Sequence, residues 1–223
     1  DPWWVPAPLE GPPAPRRAAL CIAPEGMKVE PAVADSLQDA AHRLRAAGWV
    51  VEQVANTPPL QEPARLQAAL WLGEIRGPMG AAVAREGDPD ASAVFGFMER
   101  LTPQPDIAEF QSMLTRRATL LRDWLVFLDR YPVVLMPVSG ALPFRDHEDV
   151  ESFAAFERVI AAQLTQVALP LLGLPGLTVS TGMVGTVPVG VQLVGGRYRE
   201  DVLLAAGEAI EAGGVPPMPV DPA

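Results

Sequence analysis

The sequence is most informative first in what it withholds. Among 223 residues there is one cysteine, Cys21, so an internal disulfide and a cysteine metal cage are both excluded. Only two histidines occur, His42 and His147, and a zinc site built on them would need carboxylates at a spacing the chain does not offer. Lysine is nearly absent: Lys28 stands alone, and the other basic residues are arginines. With a formal net charge of -10, the chain lacks the clustered cations that a phosphate backbone demands, and nucleic acid is not an expected partner. No basic stretch leads into an apolar core near Asp1, so a cytoplasmic protein is expected.

An unbroken apolar run is missing too, although one stretch comes close. From Val159 to Gly196 the chain carries no charged side chain, yet Gln163, Thr165, Gln166, Pro170, Pro175, Pro188 and Gln192 interrupt it. A membrane span of eighteen or more apolar residues is therefore not the reading, and no membrane partner is expected. Prolines and glycines divide the tract into a buried helix to about Ala168 and two strands, Leu177–Ser180 and Val187–Val194. Strands covered on both faces lose their polar alternation, which places this pair in the sheet interior with 181–186 as the connection. Hydrophobic residues at 49% and charged residues at 20% describe a globular domain with length enough for one core.

Around this centre the remaining elements follow from pattern. Residues 1–15 are proline-rich and read as an extended linker, and 216–223 as a tail, leaving 16–215 as the domain. Ala18–Ala23 is a short strand. Pro31 suits a first helical turn; Val33, Leu37, Ala40, Ala41 and Leu44 share one helix face, and Gly48 stops it. With Trp49–Val54 this makes a β-α-β unit with parallel strands. Short helices from Leu60 to Leu101 break at Gly77-Pro78 and at Gly87-Asp88-Pro89. Asp106 caps the longest helix, Ile107 to Asp129, whose apolar stripe is Ile107, Phe110, Leu114, Leu121, Trp124, Leu125 and Leu128. Val133–Met136 is a strand, Ala141–Val150 a loop, Glu151–Ala168 a helix, and Glu200–Ala212 a last helix with acids suited to its dipole.

Several of these stretches carry a resemblance. Gly173-Leu-Pro175, a β run to Gly182, a glycine turn and Val187-Pro-Val-Gly-Val-Gln-Leu-Val-Gly195 resemble the C-terminal part of the amidase-signature family. Pro132-Val-Val-Leu-Met-Pro137 resembles its apolar strand ending in proline, and Glu200–Glu211 its last helix. Where the family often has asparagine before Gly-x-Pro and proline later in the strand, this chain has Pro170-Leu-Leu and Ser180. The resemblance implies an α/β fold, a mixed sheet covered by helices. It implies hydrolysis of a carboxylic amide to acid and ammonia or amine, without metal or organic cofactor. The family's nucleophilic serine, bridging cis-peptide serine and lysine lie in its N-terminal half. None of them has a counterpart here, so no catalytic residue is assigned to this chain.

The residues present agree with that one at a time. Lys28, between Glu25, Gly26 and Glu30, sits in a polar loop, whereas a catalytic lysine needs desolvation. Ser36, Ser92, Ser112 and Ser152 fall on helices or their starts, and Ser180-Thr181-Gly182 reads as side-chain-to-backbone turn chemistry. Cys21 reads as a small buried hydrophobe, His42 as a surface residue, and His147 as part of an acidic loop. Open α/β sheets bind ligands beyond the carboxyl ends of their strands, which directs attention to Met136-Pro137-Val138-Ser139 as substrate-binding wall. The expected partners are a small-molecule amide and the N-terminal half of the same protein, with self-association through uncovered core surface. Two other readings stay open: one component of a tRNA-dependent amidotransferase, and a non-catalytic α/β binding or scaffold module.

Overall fold

The structure, a computed structural model, describes residues 11–214. Strand β1 (Arg17–Leu20), helix α1 (Pro31–Ala46) and strand β2 (Val50–Gln53) form the expected unit, with β1 and β2 parallel. Helix α2 (Gln61–Glu74) is separated from α3 (Gly80–Glu86) by a kink at Gly77 (φ -94, ψ -139), and α4 (Pro89–Leu101) and the long α5 (Ile107–Arg130) follow. Strand β3 (Val133–Pro137) follows, then α6 (Phe153–Ala162), α7 (Leu164–Leu172), the hairpin β4 (Gly176–Val184) and β5 (Val187–Gly195), and α8 (Glu200–Glu211). The sheet order is β2-β1-β3-β5-β4; β1 pairs in parallel with both neighbours, and β5 is antiparallel to β3 and to β4. Among the described residues no helix is long and apolar enough to cross a membrane.

Every residue of β3 is buried, and its alternation splits two cores. Val133 and Leu135 face α1 and α8, packing with Leu37, Leu44, Leu203 and Ile210. Val134 and Met136 face α2, α5 and α7, packing with Leu66, Trp124, Leu171 and Leu172. Each fully buried aliphatic chain contributes roughly 1.5–3 kcal/mol from the area it removes from water, so a sheet covered twice is the dominant stabilising feature. Polar groups lock the layers at their margins. Arg43 on α1 donates to the carbonyls of Ile210, Gly214 and Thr181, tying α1 to α8 and to β4. The Tyr131 hydroxyl and the Arg17 guanidinium hold the Glu52 carboxyl below its ordinary range.

Four details differ from the sequence reading. The strand pair is adjacent, but β4 is the outermost strand of the described sheet, with Gly176 and Thr178 exposed. Its connection is only Gly185-Thr186: a bulge between Ser180 and Gly182 restores the pairing, which then runs on to Val184 and Val187. Gly185 takes φ 62, the positive angle that two-residue hairpin loops favour. The single helix expected over Glu151–Ala168 is two helices, broken at Gln163 (φ -95, ψ 20). There the Ala162 carbonyl accepts from Gly140 N at 2.7 Å, and the Thr165 hydroxyl donates to the Pro137 and Val138 carbonyls. The apolar stripe of α5 is buried only in its later part: Trp124 and Leu128 are in the core, joined by Leu120 from outside the stripe, Leu121 and Leu125 are half-buried, and Ile107 is 80% exposed.

The proline-rich opening also divides. Residues 1–10 and the 216–223 tail lie outside the described residues, but Gly11 N donates to Asp201 at 3.2 Å and Arg199 holds the Pro12 carbonyl at 2.8 Å. The end of the linker is thus strapped to the start of α8. Val191, on β5, is 0% exposed between the sheet and its helices. Replacing it with aspartate is expected to cost at least about 3 kcal/mol, since a carboxyl there has neither water nor partner. Urea unfolding of the V191D protein measures this; a wild-type midpoint would contradict the core described here.

Candidate functional site

A cleft of about 610 Å³ opens at the carboxyl ends of β1 and β3. Its walls come from the turn after β1 (Glu25 to Glu30), the loop after β3 (Gly140 to Arg145, with Glu148) and the α6–α7 junction, Ala161, Ala162 and Leu164. That volume lies within the range of small-molecule sites. Met27, Leu142, Phe144 and Leu164 supply apolar surface.

The three segments are held together at Gly140. Its N–H donates to Ala162 and its carbonyl accepts from Glu30 N at 2.8 Å, so the glycine is clamped between the other two walls. A Cβ there would lie 2.2 Å from the Lys28 carbonyl oxygen and 3.0 Å from Met27 Cε, which only glycine avoids. Ser139 Oγ accepts from Ala141 N at 3.2 Å and fixes the turn. On the β1 side, Glu25 adopts φ 50 and its carboxylate accepts from Leu60 N and Gln61 N at 2.5 and 2.6 Å, capping α2 from a distance.

Charge around the cleft is mostly committed within the protein. Glu148 faces Arg145 and Arg158, each at 3.7 Å, and Arg145 also reaches Glu151 at 2.9 Å. Lys28 is exposed at the rim. No serine, threonine, cysteine or histidine among the described residues belongs to the lining. Among the described residues no group of three or more His, Cys, Asp or Glu is arranged to hold a metal ion.

The residues expected from sequence occupy distinct places. Met136 and Pro137 are buried, Met136 in the core beside Trp124, while Val138 and Ser139 are half-buried. The cleft lining begins one residue later, at Gly140. Sequence reasoning treated Ala141–Val150 as a plain loop and missed Leu142 and Phe144. The signal was present, because the strand-end rule applied to Met136 extends to the chain that leaves the strand.

Several other potential nucleophiles and bases are engaged away from the cleft. Burial pushes the Cys21 thiol up to about 11, and its Sγ lies 3.8 Å from the Ala55 carbonyl. Ser36 and Thr181 share a buried hydroxyl contact of 2.6 Å, and Ser180 donates to the Val189 carbonyl. Ser152 caps α6. His147 Nδ1 lies 3.0 Å from Asp90 at an exposed site.

Two measurements test this description. Gly140→Ala should destabilise the fold by about 1–3 kcal/mol through overpacking and should displace the Lys28 turn, visible as shifted Met27 methyl resonances; an unperturbed spectrum would remove the clamp. A folded protein at pH 8 should resist thiol reagents at Cys21 until denaturant is added, because the thiol is both buried and protonated; rapid labelling under native conditions would contradict this.

A family profile described as Amidase matches residues 5–204. The indoleacetamide hydrolase of Bradyrhizobium japonicum is 32% identical over 214 residues, 95% of this chain and 46% of that relative. A glutamyl-tRNA(Gln) amidotransferase component of Archaeoglobus fulgidus is 34% identical over 92 residues, 41% of this chain and 19% of that protein. A solved structure of fatty acid amide hydrolase superposes with a TM-score of 0.71 at 16% identity, covering 95% of this chain and 42% of that one, a likeness of fold. The chain thus spans less than half the length of the two indoleacetamide hydrolases that it matches. With the profile matching nearly its whole length and the sheet superposing on the same architecture, the chain belongs to the amidase (amidase-signature) family.

Proposed function

We propose that this chain is the cleft-forming part of an amide hydrolase. It supplies the central strands, the covering helices and one wall of the pocket that holds the acyl portion of the substrate. The reaction is hydrolysis of a carboxylic amide to the acid and ammonia or an amine, through a serine acyl-enzyme whose serine and base lie outside these 223 residues. The observation that carries this reading is the cleft at Gly140: it lies beyond the carboxyl ends of β1 and β3 in an amidase-family chain and has the volume of a small-molecule site, yet among the described residues its lining offers no hydroxyl, thiol or imidazole.

In this reading Leu142 and Phe144 contact the acyl group. Met136, Pro137, Val138 and Ser139 contribute to substrate binding through the turn they hold, pinned by Thr165 and by the Ser139 hydroxyl. The apolar walls and the similarity to an indoleacetamide hydrolase support an amide of an aromatic acid as substrate. The cytoplasm is the expected compartment. A role as one component of an amidotransferase is the second reading; it has partial matches over 92 and 101 residues behind it, against 214 for the hydrolase.

A serine-directed fluorophosphonate tests the placement of the catalytic centre. This chain should take up no label, since a nucleophile without its base loses about a millionfold in rate. Joined to the remainder of the family domain it should label once per molecule and hydrolyse arylacetamides. Stoichiometric labelling within these 223 residues, abolished by changing one of their serines, would overturn the proposal.

A further inference from the structure

Among the polar groups of the cleft, one acceptor is left without a strong partner. Three carboxylates belong to the lining: Glu25, Glu30 and Glu148. Glu25 is committed to Leu60 N and Gln61 N, at 2.5 and 2.6 Å. Glu148 accepts from Arg145 N at 3.2 Å and faces the guanidinium groups of Arg145 and Arg158. Glu30 has no ion pair among the described residues, and its carboxylate meets only Leu142 N, at 3.5 Å. That distance lies beyond the usual range of an N–H to oxygen bond, so most of its accepting capacity is unused.

The backbone on either side fixes where this carboxylate sits. Glu30 N donates to the Gly140 carbonyl at 2.8 Å, and the Glu30 carbonyl accepts from Val33 N and Ala34 N as α1 begins. The side chain is thereby held, half-buried, against the loop after β3 and beside Leu142. Leu142 is also half-buried, and with Met27, Phe144 and Leu164 it forms the apolar surface of the cleft. A carboxylate next to apolar walls competes less with water, which strengthens a hydrogen bond made there.

The charges nearby select the kind of donor. Lys28, Arg145 and Arg158 line the same cleft, three cations beside the three carboxylates. A ligand ammonium would therefore meet no net negative field and would be repelled by those side chains. A neutral N–H on a flat apolar ring meets no such opposition: the ring covers the walls while its N–H turns to Glu30. The Gln61 carboxamide is the remaining side-chain acceptor of the lining. It is exposed, and its Nε2 donates to the Glu25 carbonyl at 3.4 Å.

We infer that Glu30 is a specificity-determining residue for the acyl group: its carboxylate accepts a hydrogen bond from a ring N–H, and so selects amides of heteroaromatic acids that carry a pyrrole-type nitrogen. This rests on the reading above that the cleft holds the acyl portion of an aromatic amide. A hydrogen bond to a charged acceptor corresponds to a preference of about ten- to a hundredfold over a substrate without the donor.

The test compares two amides of similar shape, indole-3-acetamide and benzothiophene-3-acetamide, in which sulfur replaces the ring N–H. With this chain joined to the remainder of the family domain, kcat/KM should favour the indole by about ten- to a hundredfold. Glu30→Leu should bring the ratio near one, while Glu30→Gln, whose carboxamide oxygen still accepts, should keep part of it. Both variants retain the backbone bonds of residue 30, so the ratio reports on the side chain. A ratio near one in the unsubstituted protein, or a preference that survives Glu30→Leu, would overturn the assignment. A preference lost in Gln61→Ala but kept in Glu30→Leu would move the acceptor to α2 and overturn it as well. The isolated chain supplies a second readout, titration with the same two amides followed by NMR at the Leu142 amide and the Met27 methyl. The indole should bind about tenfold more tightly, and Glu30→Leu should abolish the difference; equal affinities in the unsubstituted chain would count against Glu30. If the joined protein hydrolyses neither amide, the proposed function fails, and the titration decides the role of Glu30 by itself.

Discussion

The burial of β3 on both faces is the constraint from which the rest of the molecule follows. Five consecutive residues, Val133 to Pro137, must each meet apolar side chains, and alternate ones meet different layers. One helical layer cannot satisfy a strand like that. The chain therefore supplies α1 and α8 on one side and α2, α5 and α7 on the other. Arginines then stitch the layers by donating to helix-terminal carbonyls, Arg43 to Ile210 and Arg117 to Leu171, where a helix end would otherwise leave acceptors unpaired.

The cleft is the place where this burial stops. Beyond Pro137 the backbone leaves the sheet and must still satisfy its polar groups. It does so through Thr165, through the Ala162 carbonyl freed by the break at Gln163, and through Glu30. Those bonds draw three segments, distant in sequence, around one glycine. The space they cannot fill is the candidate site. A surface without a nucleophile is consistent with its position, since what converges on Gly140 is backbone, and the side chains left over are mainly apolar or mutually ion-paired.

Much of this architecture was legible in the sequence where physics acts locally. The β-α-β unit, the cap at Asp106, the breaks at Gly77 and Gly87 and the buried Val191 follow from periodicity and turn chemistry. What escaped depends on partners far away in the chain. The break at Gln163 is fixed by the loop around Gly140, and nothing in the helical pattern of Phe153, Phe156, Ile160 and Val167 announces it. The exposure of Ile107 on an otherwise well-patterned helix shows that an apolar stripe states what a face could bury, not what covers it. Similarly, the lack of charge in β4 pointed to an interior strand, while the described sheet ends there. At the candidate cleft, the strand-end rule pointed to Met136–Ser139, and the lining begins with the next residue, Gly140.

The strand order has a consequence for how the chain reaches its structure. Ala18 pairs with Val133, so the sheet cannot join its first and third strands until everything from α1 through α5 has been made and looped back. Such closure is slow, because the entropy of the intervening chain is lost before the contact rewards it. The β4–β5 hairpin is the opposite case, needing only a two-residue turn and forming on a microsecond scale of roughly 1–10 μs. Folding thus has a fast local piece at the end of the chain and a slow long-range docking at its centre. Strand β1, which precedes β3 by more than a hundred residues, waits for it with one edge unpaired. During that interval its companions are α1 and β2, its neighbours in sequence, and β3 is the piece that closes the sheet.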